Sequence, residues 1–345
     1  MSESIRRKLK ELRIQFRRMG KEWEEMPVVG PIIRKSKTVS FVGLQQVPLY
    51  DVMQFYMMSL GKGIIFQRAA ALTYRVFIAL IPMLIALFSA IAFLGSNVQN
   101  VLLEFLQSLF PTYAWPAIEN VVTDVITRQN GTLSSFMLFF GIYFTVLCMN
   151  GILVALNTSF LQEKRRNFIK QLGMSFVLMF IFFITIVTVV LLFIFSAALV
   201  NRLHHRLMGE NPNAVYYYAI HGIKWLLTFG AIYFMVSVTY HIASGEKKSR
   251  YRFFSAGSTT CTLLMVVLLW GLNVYFSNFS NYNLIYGSLG ALFAILLWLN
   301  WSSLVLLIGY ELNVSIAKAK STKTAEQHDD NTEDQPERCN ERKQE

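Results

Sequence analysis

The chain has 345 residues, 54% of them hydrophobic and 15% charged, against roughly 25% charged in an ordinary soluble domain. Its apolar residues stand in blocks longer than the ~20 residues that cross a bilayer, which excludes a soluble globular class and leaves a polytopic membrane protein. The formal charge of +11 forms no single basic face of the kind that binds nucleic acid: it gathers before Leu72, in two short loops and after the last apolar block, as cytoplasmic anchoring does.

Taken in order, residues 1–26 carry Ile5, Leu9, Leu12, Phe16, Met19 and Trp23 at steps of four and three, among Arg6, Arg7, Lys8, Lys10, Arg13, Arg17, Arg18 and Lys21. This spacing predicts a basic amphipathic cytoplasmic helix that lies on an anionic leaflet or packs on a protein partner. Residues 27–54, with Pro27, Gly30, Pro31 and Pro48, read as a linker. Because the first 71 residues are polar and basic, the first span is expected to be retained rather than cleaved as a leader.

A membrane domain over 55–317 follows. Its charge-free runs predict six helices near 72–95, 133–160, 172–200, 216–241, 254–276 and 284–314, the last two separated by a polar turn from Ser277 to Asn283. Lys164, Arg165, Arg166 and Lys170 lie between spans two and three, and Lys247, Lys248, Arg250 and Arg252 between four and five, whereas the alternate loops are poor in charge. Both termini are therefore expected on the cytoplasmic side. The outer loop 96–132 repeats Ile118, Val121, Val122, Val125 and Ile126 with helical period after Pro111 and Pro116, which predicts amphipathic helix on the outer surface. The tail, 318–345, is rich in Glu, Asp, Asn and Gln and without aromatics from about Ser321, a composition that predicts disorder. The fold class is thus all-α: a six-span bundle with an amphipathic cytoplasmic helix before it and an acidic tail behind it.

Three ionisable residues interrupt the apolar blocks: Arg75 early in span one, Lys224 in span four and Glu311 late in span six. Each needs a reason, since a charge at the centre of a membrane helix costs about 2.5–3.5 kcal/mol on insertion scales. Spans one and six run in opposite directions, which puts Arg75 and Glu311 at similar depth, as a buried pair or as the lining of a polar cavity. Lys224 belongs to the outer half. Snorkelling or a fold-fixing ion pair is the plain alternative for all three. Thr73 and Asn313 join them as substrate-path candidates, although interhelical hydrogen bonding is the default role of such residues. Pro82 removes a backbone hydrogen bond inside span one and predicts a kink or a free carbonyl, while Gly287, Gly290 and Gly309 read as close-packing positions. The cysteines Cys148, Cys261 and Cys339 show neither a disulfide framework nor metal spacing, and the adjacent His204 and His205 lack a third ligand. No metal, cofactor or catalytic group is expected.

The segments Ala70-Ala71-Leu72-Thr73-Tyr74 with Pro82, Tyr286-Gly287-Ser288-Leu289-Gly290, Trp298, and Gly309-Tyr310-Glu311-Leu312-Asn313 resemble the hallmark segments of the YihY/virulence factor BrkB family of bacterial integral membrane proteins. The resemblance runs from about residue 55 to 317; Tyr310 stands where the family usually has Ala. It implies a six-span inner-membrane protein of ill-defined function, with links to virulence, envelope lipid handling or transport, and a ribonuclease label that has circulated for it.

Two functions fit. One is a transporter or lipid-handling protein in which Arg75 grips a small anion or lipid headgroup through two hydrogen bonds and Glu311 balances it. The alternative is a non-transporting scaffold for envelope assembly that recruits a protein through the N-terminal helix or the tail. A nuclease is disfavoured. Between Leu72 and Leu312 the only acids are Glu104, Glu119, Asp124, Glu163, Glu210, Glu246 and Glu311, and they form no metal-binding cluster. Membrane lipids are the expected surroundings, and nucleic acid is not an expected partner.

Overall fold

In a computed structural model, the described residues are 49–61, 64–92, 131–159, 167–207, 214–244, 254–278 and 288–341, with the single positions 103, 107, 115 and 119. They form α1 (Leu49–Gly61), α2 (Ile64–Ala92), α3 (Gly131–Asn157), α4 (Phe168–Leu207), α5 (Ala214–Ser244), α6 (Ala256–Asn278) and α7 (Ser288–Glu341), with no strand among the described residues. Six helices are long and apolar enough to cross a membrane, through segments Ile64–Leu84, Leu138–Asn157, Phe168–Leu192, Trp225–Ser244, Ala256–Phe276 and Leu292–Thr322. The chain is therefore an all-helical, multi-pass membrane protein.

The spans close into a ring. α2 packs on α3, α3 on α4, α4 on α5, α5 on α6, α6 on α7, and α7 returns to α2; the short α1 lies against α7. One apolar core draws on all six spans, with Leu72, Leu153, Leu156, Leu178, Ala243, Cys261, Leu307 and Tyr310 almost wholly enclosed. A second, small cluster of Val52, Ile316 and Ala319 holds α1 to α7. The outward faces stay apolar, as they must in lipid: Leu263, Val267, Trp270 and Val274 make an exposed stripe along α6 at steps of four, three and four. Six hydroxyls inside the spans bond within their own helices. Thr73, Thr145, Ser175, Thr185, Thr239 and Thr262 each donate to the carbonyl four residues back, so these residues enter the bundle without a desolvated, unmade bond.

Several boundaries differ from the sequence-based expectation. The first span begins at Ile64, not near 72, because Arg68 lies within the helix. The presumed linker over 27–54 gives way at Leu49 to α1. α2 continues through Pro82 to Ala92. The final helix runs to Glu341, where composition predicted disorder: between Gly309 and Pro336 there is neither glycine nor proline, so a helix already formed by the apolar span meets no strong breaker before Pro336. The amphipathic segment 1–26 lies outside the described residues, as does the outer loop 96–132 apart from the single positions and its end at Gly131 and Thr132.

Candidate functional site

The buried polar centre of the bundle is Glu311, with no exposed surface. Three elements converge on it. From α1, Ser59 Oγ donates to Glu311 Oε2 at 2.5 Å; from the residues closing α3, Ser159 Oγ donates to the same oxygen at 2.7 Å. From α2, Arg68 Nη1 donates to Oε1 at 2.5 Å, a salt bridge in which the arginine side chain is 11% exposed. Arg68 does more than neutralise the carboxylate. Its Nε and Nη2 both donate to the Ala155 carbonyl, at 3.0 and 2.6 Å, so one guanidinium caps the last turn of α3, where helical carbonyls lack partners and a positive charge is favoured. Tyr56 on α1, outside the spans, feels the same site: burial first, and then the Glu311 carboxylate, raise its phenol above the ordinary 10.0.

Arg75 is not the partner of Glu311. It lies two turns along α2 from Arg68, is exposed, and has no hydrogen bond or ion pair to any described residue. Its stem rests on Gly151 of α3: a Cβ there would stand 2.8 Å from Arg75 Cδ and 3.4 Å from Arg75 Cβ. The expected Arg75–Glu311 pairing is thus corrected to Arg68–Glu311, a partner missed because a first span starting near 72 leaves Arg68 outside it.

The remaining candidates separate. Thr73 meets α7, where Asn300 Nδ2 donates to its hydroxyl at 3.4 Å and Ser303 Oγ lies 3.4 Å away. Asn313 belongs to a cap: its Oδ1 accepts from the Gly257 N–H at 2.8 Å and its Nδ2 donates to Ser255 Oγ at 3.0 Å. Ser255 in turn accepts from the Ser258 N–H at 3.1 Å, so α6 starts on a serine N-cap reinforced by a side chain from α7. Lys224 lies on α5 and its side chain is outside the described ones; Gly287 also falls outside them, and Gly290 is buried on α7.

Gly309 is a close-packing position, as expected, and it has an unpredicted partner. A Cβ on Gly257 would collide with the Gly309 carbonyl oxygen, and one on Gly309 would stand 2.6 Å from Tyr240 Oη and 2.8 Å from the Gly257 carbonyl oxygen. The segment Gly309-Tyr310-Glu311-Leu312-Asn313 therefore faces every neighbour of α7 in turn. Gly309 admits α6, Tyr310 meets the Tyr240 ring edge-on at 5.4 Å, Glu311 gathers the polar knot, Leu312 packs toward α1 and Asn313 caps α6.

Along the contact of α2 with α7 these groups form two polar levels. Thr73, Asn300 and Ser303 make one; Arg68, Glu311, Ser59 and Ser159 make the other. Between them on the same helices stand Leu72 and Leu307, at 2% and 0% exposure. The Ser302 and Ser315 hydroxyls, also on α7, and both polar atoms of the Asn157 amide are buried without a hydrogen-bond partner.

Comparison with known proteins agrees with this architecture. The profile of the family described as Virulence factor BrkB matches residues 59–334. The chain is 26% identical over 253 residues to the ribonuclease-like protein YfkH of Bacillus subtilis (strain 168), covering 73% of this chain and 90% of that one. It is 25% identical over 267 residues to a UPF0761 membrane protein of Xanthomonas oryzae pv. oryzae (strain PXO99A), covering 73% of this chain and 57% of the relative. No solved structure matches.

Proposed function

The chain belongs to the virulence factor BrkB family, and from that premise we propose that it is a bacterial inner-membrane protein that transports or otherwise handles a lipid or another envelope component, using polar residues inside its spans. The observation that carries this reading is the polar seam between α2 and α7. Two hydrogen-bonded levels are divided by Leu72 and Leu307, and the unpartnered Ser315 hydroxyl lies one turn beyond Glu311. A purely structural contact between spans is satisfied by small residues and a few hydrogen bonds. A charged pair and an apolar division in one seam, with an unsatisfied hydroxyl on the same helix, supply instead what a passing polar group needs, with Glu311 and Arg68 as the groups it meets. The basic loops between spans two and three and between four and five support a reading with both termini in the cytoplasm. The chemistry is not enzymatic in this reading, and the word ribonuclease in a relative's name stays with that relative.

Cysteine accessibility tests it. In a chain whose own cysteines are replaced by alanine, Thr73→Cys and Ser303→Cys are expected to react with a membrane-impermeant thiol reagent from one face of sealed vesicles, because a transport seam opens to water during its cycle. If neither position reacts from either face, the seam is permanently dry. The second reading, a scaffold for envelope assembly, then stands. The full satisfaction of Glu311 by Arg68, Ser59 and Ser159 favours that second reading, since a sealed pair is what a fixed frame requires.

A further inference from the structure

We infer that Arg75 is a lateral binding site for the phosphate of a membrane lipid, reached from the bilayer across the α2–α3 face rather than through the centre of the bundle. Arg75 is the twelfth residue of the 29-residue helix Ile64–Ala92, about 10 Å further into the span than Arg68 at ~1.5 Å per residue. It is exposed and has no hydrogen bond or ion pair to a described residue. An arginine at that depth needs an anion, and its five donors in a planar fork suit a phosphate.

The membrane segments do not supply that anion. Across the six membrane segments the sole acid is Glu311, which is fully enclosed and already bonded to Arg68. A second copy of this chain therefore brings no free carboxylate to the face from its own spans. The surroundings argue for a lipid-borne source over a free ion. Tyr74 and Ile78, one and three residues from Arg75 on α2, and Leu147, one turn before Gly151 on α3, are exposed hydrophobics, a surface for the acyl chains that a lipid phosphate carries and a free ion lacks. Gly151 completes the site from below. With no side chain it lets the arginine stem lie on the α3 backbone, which holds the stem in the α2–α3 groove and leaves the guanidinium free.

The inference rests on the lipid-handling reading above and names its ligand class, yet it stands or falls on a different observable. The full chain, purified and delipidated in detergent, is titrated with dioleoylphosphatidylglycerol and, separately, with dioleoylglycerol, and bound lipid is counted by native mass spectrometry. The wild type is expected to hold the phospholipid at least tenfold more tightly than Arg75→Ala or Arg75→Gln, and to bind the phosphate-free lipid no better than those variants do. Gly151→Ala, which keeps the charge but displaces its stem, is expected to weaken retention several-fold at an unchanged unfolding temperature. Inorganic phosphate at millimolar concentration is expected not to displace the lipid. Equal retention by wild type and Arg75→Ala overturns the proposal, as does equal binding of dioleoylglycerol. Displacement by inorganic phosphate overturns the lipid source, and loss of a dimer on Arg75→Ala assigns the residue to contact between copies instead. Lipid retention without labelling of the α2–α7 seam leaves a lipid-binding scaffold; labelling without retention leaves a transporter whose ligand enters elsewhere.

Discussion

Arg68 and Arg75 are seven residues apart on α2, a separation that returns a straight helix to within about 20° of the same face, and their surroundings are opposite. Arg68 makes three hydrogen bonds, one to a carboxylate and two to a helix-end carbonyl, and is nearly enclosed. Arg75 lies over a glycine and faces outward without a partner among the described residues. The helix dictates the direction of both; the elements opposite decide what each one does. At the level of Arg68, α1, α7 and the end of α3 close in together. Two turns deeper, Arg75 lies against α3 at the bare backbone of Gly151.

The contrast is broken most severely at Glu311. Glu311→Ala strands Arg68 in a nearly dry site, and removing one partner of a buried ion pair costs about 3–5 kcal/mol. Thermal unfolding in detergent is expected to show a large loss for Glu311→Ala and no resolvable change for Arg75→Ala. The double variant Arg68→Leu with Glu311→Leu is expected to recover part of the loss, because it removes both charges at once. A double variant as unstable as Glu311→Ala would show that the hydroxyls and the α3 cap, not the charge pair, hold the knot.

The same substitution at two glycines sharpens the point. Gly257→Ala drives a methyl group against the Gly309 carbonyl oxygen, which belongs to a backbone that cannot turn aside; overpacking of this kind costs about 1–3 kcal/mol. Gly151→Ala presses on the flexible stem of Arg75 and is expected to leave the unfolding temperature nearly unchanged. Smaller again is Asn313→Ala, which removes a side-chain cap from the first turn of α6 and is expected to cost about 1 kcal/mol. Because Asn313 neither touches nor positions Arg75, this variant should retain phospholipid as the wild type does.

The six spans were legible because hydrophobic length is a direct signal, and lipid tolerates little else. The need of Glu311 for a partner was legible for the same reason. Its partner was not. Arg68 has Leu72 four residues on and Arg75 seven residues on, a register that carries the helix back through the charge, and that spacing is the signal that was available. Ser59 and Ser159 gave no signal, since serines near helix ends are ordinary in sequence and acquire a role only when α1 and α3 meet α7. Asn313 was read as a path residue for a similar reason: a cap supplied from another helix depends on a tertiary contact between positions 56 residues apart. The length of the last helix was missed because acidic, polar composition was weighed above the lack of a breaker before Pro336.

The Glu311 knot has a bearing on how the protein is made. Its donors come early in the chain, at Ser59, Arg68 and Ser159, and its acceptor comes 252, 243 and 152 residues after them. During synthesis the first two spans enter the bilayer with an arginine that has no counter-charge, and they keep it until the sixth span arrives. A chain that stalls before Glu311 thus keeps Arg68 inside the membrane without its carboxylate, and insertion of the last span is the step that pairs it.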